Sequence, residues 1–328
     1  MTMVAPSPAP VSPGRRLKRF MSDYPIIPLI VLLGGLVGFL QVIQPGIVNA
    51  RWLASTIQFA IPLALLAGCQ TMTMLTGGID MSVGTVATVS AFVLTTQVVQ
   101  TDPAIAFALA MLPAVLVGLA NGIGVGIFRV HPLIMTLGTG LVAFGSLQVY
   151  QRTVIATGFL VPDWLKWLGT GLSFGVPNSL LVFLPLAALI IFTLRYTGFG
   201  RLLYAVGDNE KASRLSGVKY WQVILTLYVA SSLLAGITGI LYIGLIKAAS
   251  LTLAEPLLLP AVAATVIGGT SIFGGRGGYF GSIIGALILR VITTILTILQ
   301  IPEGARMIIF GSIILLVTAA YLRIIEDR

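Results

Sequence analysis

Apolar residues occur along this chain in long blocks, separated by short polar or glycine-rich segments. Most blocks approach the roughly 20 residues that an α-helix needs to cross a bilayer, so we predict an all-α integral membrane protein with about ten transmembrane helices. The blocks cover residues 25–43, 53–75, 83–99, 104–127, 132–150, 178–194, 222–245, 258–273, 279–300 and 306–323. Block 258–273 is short and ends in glycines, so it either spans the membrane or forms a re-entrant segment packed within the bundle.

The composition excludes a water-soluble domain. Of the 328 residues, 57% are hydrophobic and only 9% are charged, whereas a soluble domain carries about a quarter charged residues. The mean hydropathy is +1.04. Membrane lipid is therefore the main solvent of this chain. The net charge of +9 does not indicate a nucleic-acid partner, because the basic residues are scattered between apolar blocks and form no continuous basic face.

The positions of the basic residues predict how the chain is oriented, because Lys and Arg favour cytoplasmic loops. Ten spans place both termini in the cytoplasm, whereas an odd number would place them on opposite sides. The cytoplasmic set is then Arg15, Arg16, Lys18, Arg19, Arg129, Arg195, Arg201, Lys211, Arg214, Lys219, Arg276, Arg323 and Arg328, and the external set is Arg51, Arg152, Lys166, Lys247 and Arg306. We thus expect a flexible cytoplasmic tail (1–23), a single transmembrane domain (24–323) with a cytoplasmic loop (195–220), and a cytoplasmic C-terminus (324–328).

Residues 76–84 interrupt the apolar pattern with glycines and place a carboxylate at the end of a block. An isolated charge deep in lipid is costly, so Asp80 requires a partner or a function. One interpretation is structural: Asp80, followed by Ser82, caps free amides where the third span begins. The other is functional: Gly77 and Gly78 break the helix, and Asp80 and Ser82 line a path for a polar solute.

Arg290 lies well inside the ninth block, so its guanidinium must pair, face a polar cavity or extend towards an interface. It is therefore a further candidate for the translocation path, beside Gly77, Gly78, Asp80 and Ser82. A pair with Asp80 would suit an ion-coupled secondary transporter in which Asp80 relays protons. A second glycine-rich run, Gly268–Gly275, also follows an apolar block. The two runs are compatible with two related halves that contain interrupted or re-entrant segments.

The cytoplasmic loop contains start and stop signals for a short helix. Asp208 or Asn209 can cap its beginning, and Gly217 can end it. Ala212 and Leu215 could form a docking face, while Glu210, Lys211 and Arg214 make polar contacts. A helix this short needs a partner to be stable, and the alternative is an ordinary solvated loop.

The sequence shows no recognisable nucleotide, metal or catalytic site. Gly269–Gly274 resembles the start of a phosphate-binding loop, but Gly275 and Arg276 stand where Lys and Ser or Thr are required. Gly122–Gly126 ends a membrane block with no strand before it, which favours helix packing over dinucleotide binding. We therefore expect a transport subunit that is not an enzyme and that binds no metal or cofactor itself.

Three segments, in this order and spacing, carry a resemblance to a known family. They are Thr76–Gly84 (TGGIDMSVG), Tyr204–Gly217 (YAVGDNEKASRLSG) and Ala263–Ser271 (AATVIGGTS), the last followed by Gly274–Gly277. With these segments the chain resembles the ribose, xylose and galactose type permeases of bacterial ATP-binding-cassette importers, from its first span to its last.

The resemblance implies a dimeric pore in the bacterial inner membrane, built from two like or two different permease subunits. It also implies two cytoplasmic ATP-binding subunits that hydrolyse ATP and dock on coupling helices, and a periplasmic solute-binding protein that delivers the sugar. By position, Asp208–Gly217 would be the coupling helix and Gly77–Ser82 part of the translocation path.

The sequence departs from this family at Pro256–Pro260, where such sugar permeases usually carry an acidic pair. A polyol, a deoxysugar or a furanose derivative therefore remains open as the solute. Two other classes of protein also remain open. These are the ion-coupled secondary transporter and a passive channel.

Overall fold

The computed structural model describes residues 26–154, 158–302, 304–312 and 315–316. The predicted tail 1–23 and C-terminus 324–328 lie outside the described residues. The helices are α1 (Ile26–Ile43), α2 (Ala50–Leu75), α3 (Val83–Gln97), α4 (Pro103–Gly126), α5 (Pro132–Val154), α6 (Asp163–Thr170), α7 (Leu180–Tyr196), α8 (Gly198–Asp208), α9 (Glu210–Leu215), α10 (Tyr220–Ile246), α11 (Leu258–Ile267) and α12 (Tyr279–Ile298). A 3₁₀ turn (Glu255–Leu257) precedes α11, and an antiparallel pair of two-residue strands, β1 (Leu172–Ser173) and β2 (Val176–Pro177), follows α6.

The predicted all-α, multi-pass architecture is confirmed, although the described helices differ in length more than the apolar blocks suggest. Within the described ranges, α1, α2, α4, α5, α10 and α12 are long and apolar enough to cross a membrane. A seventh span results if α7 and α8, which are bent by 66° at their junction, are counted together. α3 and α11 are shorter apolar helices, and the tenth block, 306–323, is described only in part.

Block 258–273 does not form a full-length helix. α11 has 10 residues, which extend over about 15 Å, or half of the apolar layer. The chain then turns back, with the Thr270 amide donating to the Thr265 carbonyl oxygen at 3.1 Å. α11 packs against α2 and α12, and its central residues are buried. Of the two predicted alternatives for this block, the structure therefore favours the packed segment over the span.

The centre of the bundle consists of α2 and α10. In their most apolar stretches 67% of residues are buried, compared with 6% in α1 and 17% in α5. Lipid gives no hydrophobic drive between helices, so close approach of small residues becomes important. Gly118, Gly122 and Gly126, spaced four residues apart on α4, lie directly against α10. The interpretation of this glycine run as a packing face is thus confirmed for Gly122 and Gly126.

α6 and the β1–β2 hairpin lie between α5 and α7, in the stretch whose basic residues, Arg152 and Lys166, are predicted to be external. Leu165 is fully buried against α10, while Trp164 and Trp167 are exposed on the other side of α6. The Lys166 ammonium donates to Asp163 Oδ1 at 2.9 Å and holds the pKa of that carboxyl below its ordinary value. An amphipathic helix with two exposed tryptophans is typical of a membrane–water interface.

Candidate functional site

The early glycine segment, residues 76–84, contains a break between α2 and α3 in which Gly77 is exposed while Gly78 and Asp80 are buried. Helix α2 ends at Leu75, and Gly77 adopts a φ of 77°, which is readily available to glycine. Asp80 Oδ1 then accepts hydrogen bonds from the Ser82 amide at 2.9 Å and from the Ser82 hydroxyl at 2.6 Å. Both side chains are fully buried. The carboxylate thus holds the turn that starts α3, as the structural interpretation predicted.

Side chains from three further helices close around this turn. From α2, Gln70 donates to the Asp80 carbonyl oxygen at 2.6 Å. From α4, Asn121 donates to Ser82 Oγ at 3.0 Å. From α5, Thr136 Oγ1 accepts from the Met81 amide at 3.0 Å. We call the group Gln70, Asp80, Ser82, Asn121 and Thr136 the polar cluster.

The polar cluster keeps unused hydrogen-bonding capacity. Asp80 Oδ2 and the Tyr228 hydroxyl are buried and have no hydrogen-bond partner within the described part of the chain. The Tyr228 hydroxyl lies beside Gly78, so both groups face the break. Buried polar groups are normally paired because leaving them unsatisfied costs about 1–3 kcal/mol each. The cluster can therefore bind a further polar group, such as a solute hydroxyl or water, once the break opens.

The late glycine segment meets the early one at the end of α2. The Gly275 amide donates to the Leu75 carbonyl oxygen at 3.0 Å. Gly207, near the end of α8, packs against the same Leu75 oxygen and against the Gly275 amide. Tyr204 of α8 donates its hydroxyl hydrogen to the Gly277 carbonyl oxygen at 2.9 Å. The three segments singled out in the sequence thus converge at one point, which we call the junction.

The loop 195–220, which the charge pattern predicts to be cytoplasmic, contains the predicted short helix. Asn209, and not Asp208, supplies the cap, with Oδ1 accepting from the Ala212 amide at 2.9 Å. Gly217 follows the helix with a φ of 87°, as its predicted role as a stop requires. The Leu215 side chain is 83% exposed. A leucine this exposed on a capped helix is available to a partner protein.

Arg129 is a residue of this region that we did not predict as part of a site. Its guanidinium donates to Glu210 Oε1 at 2.5 Å and lies 3.8 Å from the centre of the Tyr220 ring. In the sequence Arg129 is only one cytoplasmic charge among many. Nothing in its spacing indicates that Glu210, far along the chain, would be its partner.

The hypothetical pair between Asp80 and Arg290 is not formed. Arg290 lies 4.4 Å from the centre of the Phe59 ring and makes no ion pair with Asp80. Phe59 and Gln70, which contact Arg290 and Asp80 respectively, are separated by about 16 Å along α2. The charge pair on which the secondary-transporter hypothesis depends is therefore absent between these two residues.

A multi-pass helical bundle with a buried polar break, joined directly to a capped surface helix, is compatible with a transport permease. Comparison with known families agrees with this class. Residues 52–318 match the family described as branched-chain amino acid transport system / permease component. The chain belongs to this family, and as a permease component it is a transport subunit and not an enzyme.

The chain is also similar to several sugar import permeases over most of its length. It is 31% identical to the ribose import permease protein of Escherichia coli (strain K12) over 90% of this chain and 92% of the relative. It is 30% identical to the ribose import permease protein of Bacillus subtilis (strain 168), over 86% and 88%. With the fructose import permease protein of Rhizobium meliloti it shares 28% identity over 93% and 87%. No solved structure shows a significant match.

Proposed function

We propose that this chain is the membrane-spanning permease subunit of an ATP-binding-cassette importer that brings a sugar or sugar-like solute across the bacterial inner membrane. The observation that carries the proposal is the junction. The capped cytoplasmic helix is connected through α8 to both glycine segments, so a force applied at α9 reaches the break beside the polar cluster. A channel or an ion-coupled carrier has no need for such a connection.

The proposed partners follow from this function. Two cytoplasmic ATP-binding subunits hydrolyse ATP and dock on α9, and a second permease subunit, identical or different, completes the pore. A periplasmic solute-binding protein delivers the solute. The distribution of basic residues supports a cytoplasmic position for both termini. In this arrangement Gly77, Gly78, Asp80 and Ser82 belong to the translocation path.

The solute class rests on the sugar permeases that this chain resembles and on the chemistry of the polar cluster. Hydroxyl, amide and carboxylate groups are the donors and acceptors that bind sugar hydroxyls. The stretch Pro256–Pro260 lacks the acidic pair that we expected of such permeases. A polyol, a deoxysugar or a furanose derivative therefore fits as well as a common pentose. Selection among them belongs to the delivery protein.

In the structure the polar cluster is closed, since Asp80, Ser82 and Asn121 have no exposed surface. Transport therefore requires a second conformation in which the break between α2 and α3 is open. ATP-driven closure of the ATPase subunits would move α9, and the junction would pass this movement to the end of α2. ATP binding can favour the open state only if the ATPases contact α9 differently in the two states.

The proposed function is tested by uptake into proteoliposomes that contain the assembled complex and the solute-binding protein. We expect uptake to require enclosed ATP and to persist when an uncoupler collapses the proton gradient. The solute used in this assay is the one that mass spectrometry identifies as bound to the purified solute-binding protein. Uptake that fails with the uncoupler while ATP is constant would establish the secondary transporter instead. Uptake that needs neither ATP nor the binding protein and that persists with the uncoupler would establish a channel.

We expect Leu215→Asp to abolish co-purification of the ATPase subunit while membrane insertion stays unchanged. The reason is that Leu215 is 83% exposed on α9, so a carboxylate there costs the fold little but would be buried unpaired in an ATPase interface. The measurement is affinity purification of tagged permease and quantification of the ATPase. Leu172→Asp, on the exposed external hairpin, is the matched control and should leave the complex intact. An intact complex with Leu215→Asp would refute α9 as the docking element.

A further inference from the structure

Arg129 connects three elements on the cytoplasmic side of the bundle. It lies in the turn between α4 and α5, and its guanidinium contacts Glu210, the first residue of α9, and Tyr220, the first residue of α10. Arg214 also faces Glu210, but at 3.7 Å and from within α9 itself. The Arg129 contact is therefore the one that ties α9 to a different part of the bundle.

The backbone at Arg129 is in an unusual conformation. Its φ is 59°, in the left-handed region that side-chain-bearing residues rarely adopt. The turn before it is closed by the Val130 amide, which donates to the Gly124 carbonyl oxygen at 3.0 Å. This conformation directs the guanidinium towards α9 and the Tyr220 ring. An uncommon backbone conformation that coincides with an ion pair and a ring contact indicates that the position of this guanidinium has a function.

The two helices joined by this turn also contact the polar cluster. On α4, Asn121 donates to Ser82 Oγ, and it stands eight residues before Arg129 in the sequence. On α5, Thr136 accepts from the Met81 amide, and it stands seven residues after Arg129. A displacement of the α4–α5 turn would therefore act on residues 81–82, where the break leads into α3.

The junction acts on the opposite end of the same break. There Gly275 and Gly207 contact Leu75, where α2 ends. The break is thus held at its beginning by the junction and at its end by Asn121 and Thr136. α9 is connected to the junction through α8, and to the helices that carry Asn121 and Thr136 through Arg129.

We propose that Arg129 is a positioning residue that couples movement of α9 to the α4–α5 turn, so that both ends of the break move together. This inference rests on the proposed function. The ion pair is half-exposed, with side-chain exposures of 38% and 42%, and such pairs contribute little to stability. Loss of Arg129 should therefore reduce coupling without unfolding the permease.

The first test measures solute transported per ATP hydrolysed by the reconstituted complex. We expect Arg129→Glu to lower this ratio at least fivefold, with the amount of co-purified ATPase and the melting temperature unchanged, and Glu210→Arg to lower the ratio per bound ATPase as well. The double variant restores the ion pair and should recover most of the ratio. Arg152→Glu, a charge reversal at the other end of α5, is the control and should match the wild type. The proposal would be overturned if the single variants transported a normal amount of solute per ATP, or if the double variant transported no more per ATP than they do.

The second test uses the sole cysteine of the chain as a native probe. Cys69 is fully buried on α2 next to Gln70 of the polar cluster. A small thiol reagent, followed by mass spectrometry of the permease, reports whether the break opens. We expect ATP to increase Cys69 labelling severalfold in the wild-type complex and not in Arg129→Glu, with equal labelling in the absence of ATP.

The outcomes of the labelling test distinguish failure of the Arg129 proposal from failure of the proposed importer function. If ATP increases labelling equally in the wild type and in Arg129→Glu, the proposal for Arg129 is wrong while the proposed importer stands. If labelling of the wild type is independent of ATP although uptake needs ATP, movement does not reach the break and the Arg129 proposal is again wrong. If uptake itself needs no ATP, the proposed importer function fails, and the Arg129 proposal fails with it.

Discussion

Asp80→Asn should reduce solute uptake by the reconstituted complex at least about tenfold, which corresponds to about 1.4 kcal/mol in transition-state free energy. Asparagine keeps an oxygen that can accept from the Ser82 amide and hydroxyl, so the turn before α3 is retained. Asp80 Oδ2 makes no hydrogen bond of ordinary length among the described residues, and the Ser231 hydroxyl beside the carboxyl can accept from the amide group that replaces it. A loss of transport would therefore report what the carboxylate does when the break opens.

The measurement compares the initial rate of uptake with the amount of monodisperse permease extracted from the membrane. Asp80→Ala is the matched variant, because it removes the acceptor and leaves two buried donors of Ser82 unsatisfied, at about 1–3 kcal/mol each. We expect Asp80→Ala to lower the yield of folded protein strongly and Asp80→Asn to leave it near the wild type. If Asp80→Asn lowers yield and uptake in equal proportion, Asp80 is only a structural cap.

Gly207→Ala should abolish transport and lower the stability of the permease. A methyl group at this position would overlap the Leu75 carbonyl oxygen and would lie 2.7 Å from the Gly275 amide nitrogen. Both are backbone atoms, which cannot rotate away, so α8 must move off the end of α2. Overpacking of this kind typically costs about 1–3 kcal/mol, and here it also separates the coupling helix from the break.

Thermal unfolding in detergent and ATP-dependent uptake measure the two effects. Gly198→Ala is the matched control, because Gly198 begins the same helix and an added methyl group there would meet only the end of the Arg201 side chain, at 3.9 Å. We expect this control to be close to the wild type in both measurements. Normal uptake by Gly207→Ala would mean that close contact at the junction is not needed for coupling.

Local features of the chain were predictable because their causes are local. Membrane helices were predictable because the apolar blocks have about the length of a span. The cap at Asn209 and the stop at Gly217 were predictable because the backbone groups at helix ends require particular residues. Hydropathy could not distinguish α3 and α11 from full spans. A helix buried inside a membrane bundle is as apolar as one that crosses the lipid, so only its length separates the two.

The arrangement of the candidate site was less predictable because it depends on tertiary contacts. The sequence singled out three segments but could not show that Leu75, Gly207 and Gly275 meet at the junction. The pairing hypothesis for Asp80 and Arg290 started from the cost of charge in lipid. Instead, Asp80 Oδ1 accepts from its own turn and Arg290 lies against the Phe59 ring, while Asp80 Oδ2 and Arg290 Nε stay without hydrogen-bond partners among the described residues. Arg129 was missed because a surface charge carries no local sign of its partner.

The bend of 66° between α7 and α8 determines the direction in which a cytoplasmic motor would act. α8 runs at 66° to α7, so a shift of α9 along the axis of α8 would move Gly207 mostly across the axis of α7. The end of α2, which Gly207 contacts, would be displaced in the same direction. A motor docked on α9 would therefore act on the break by a sideways displacement relative to α7, and not by a push along that helix.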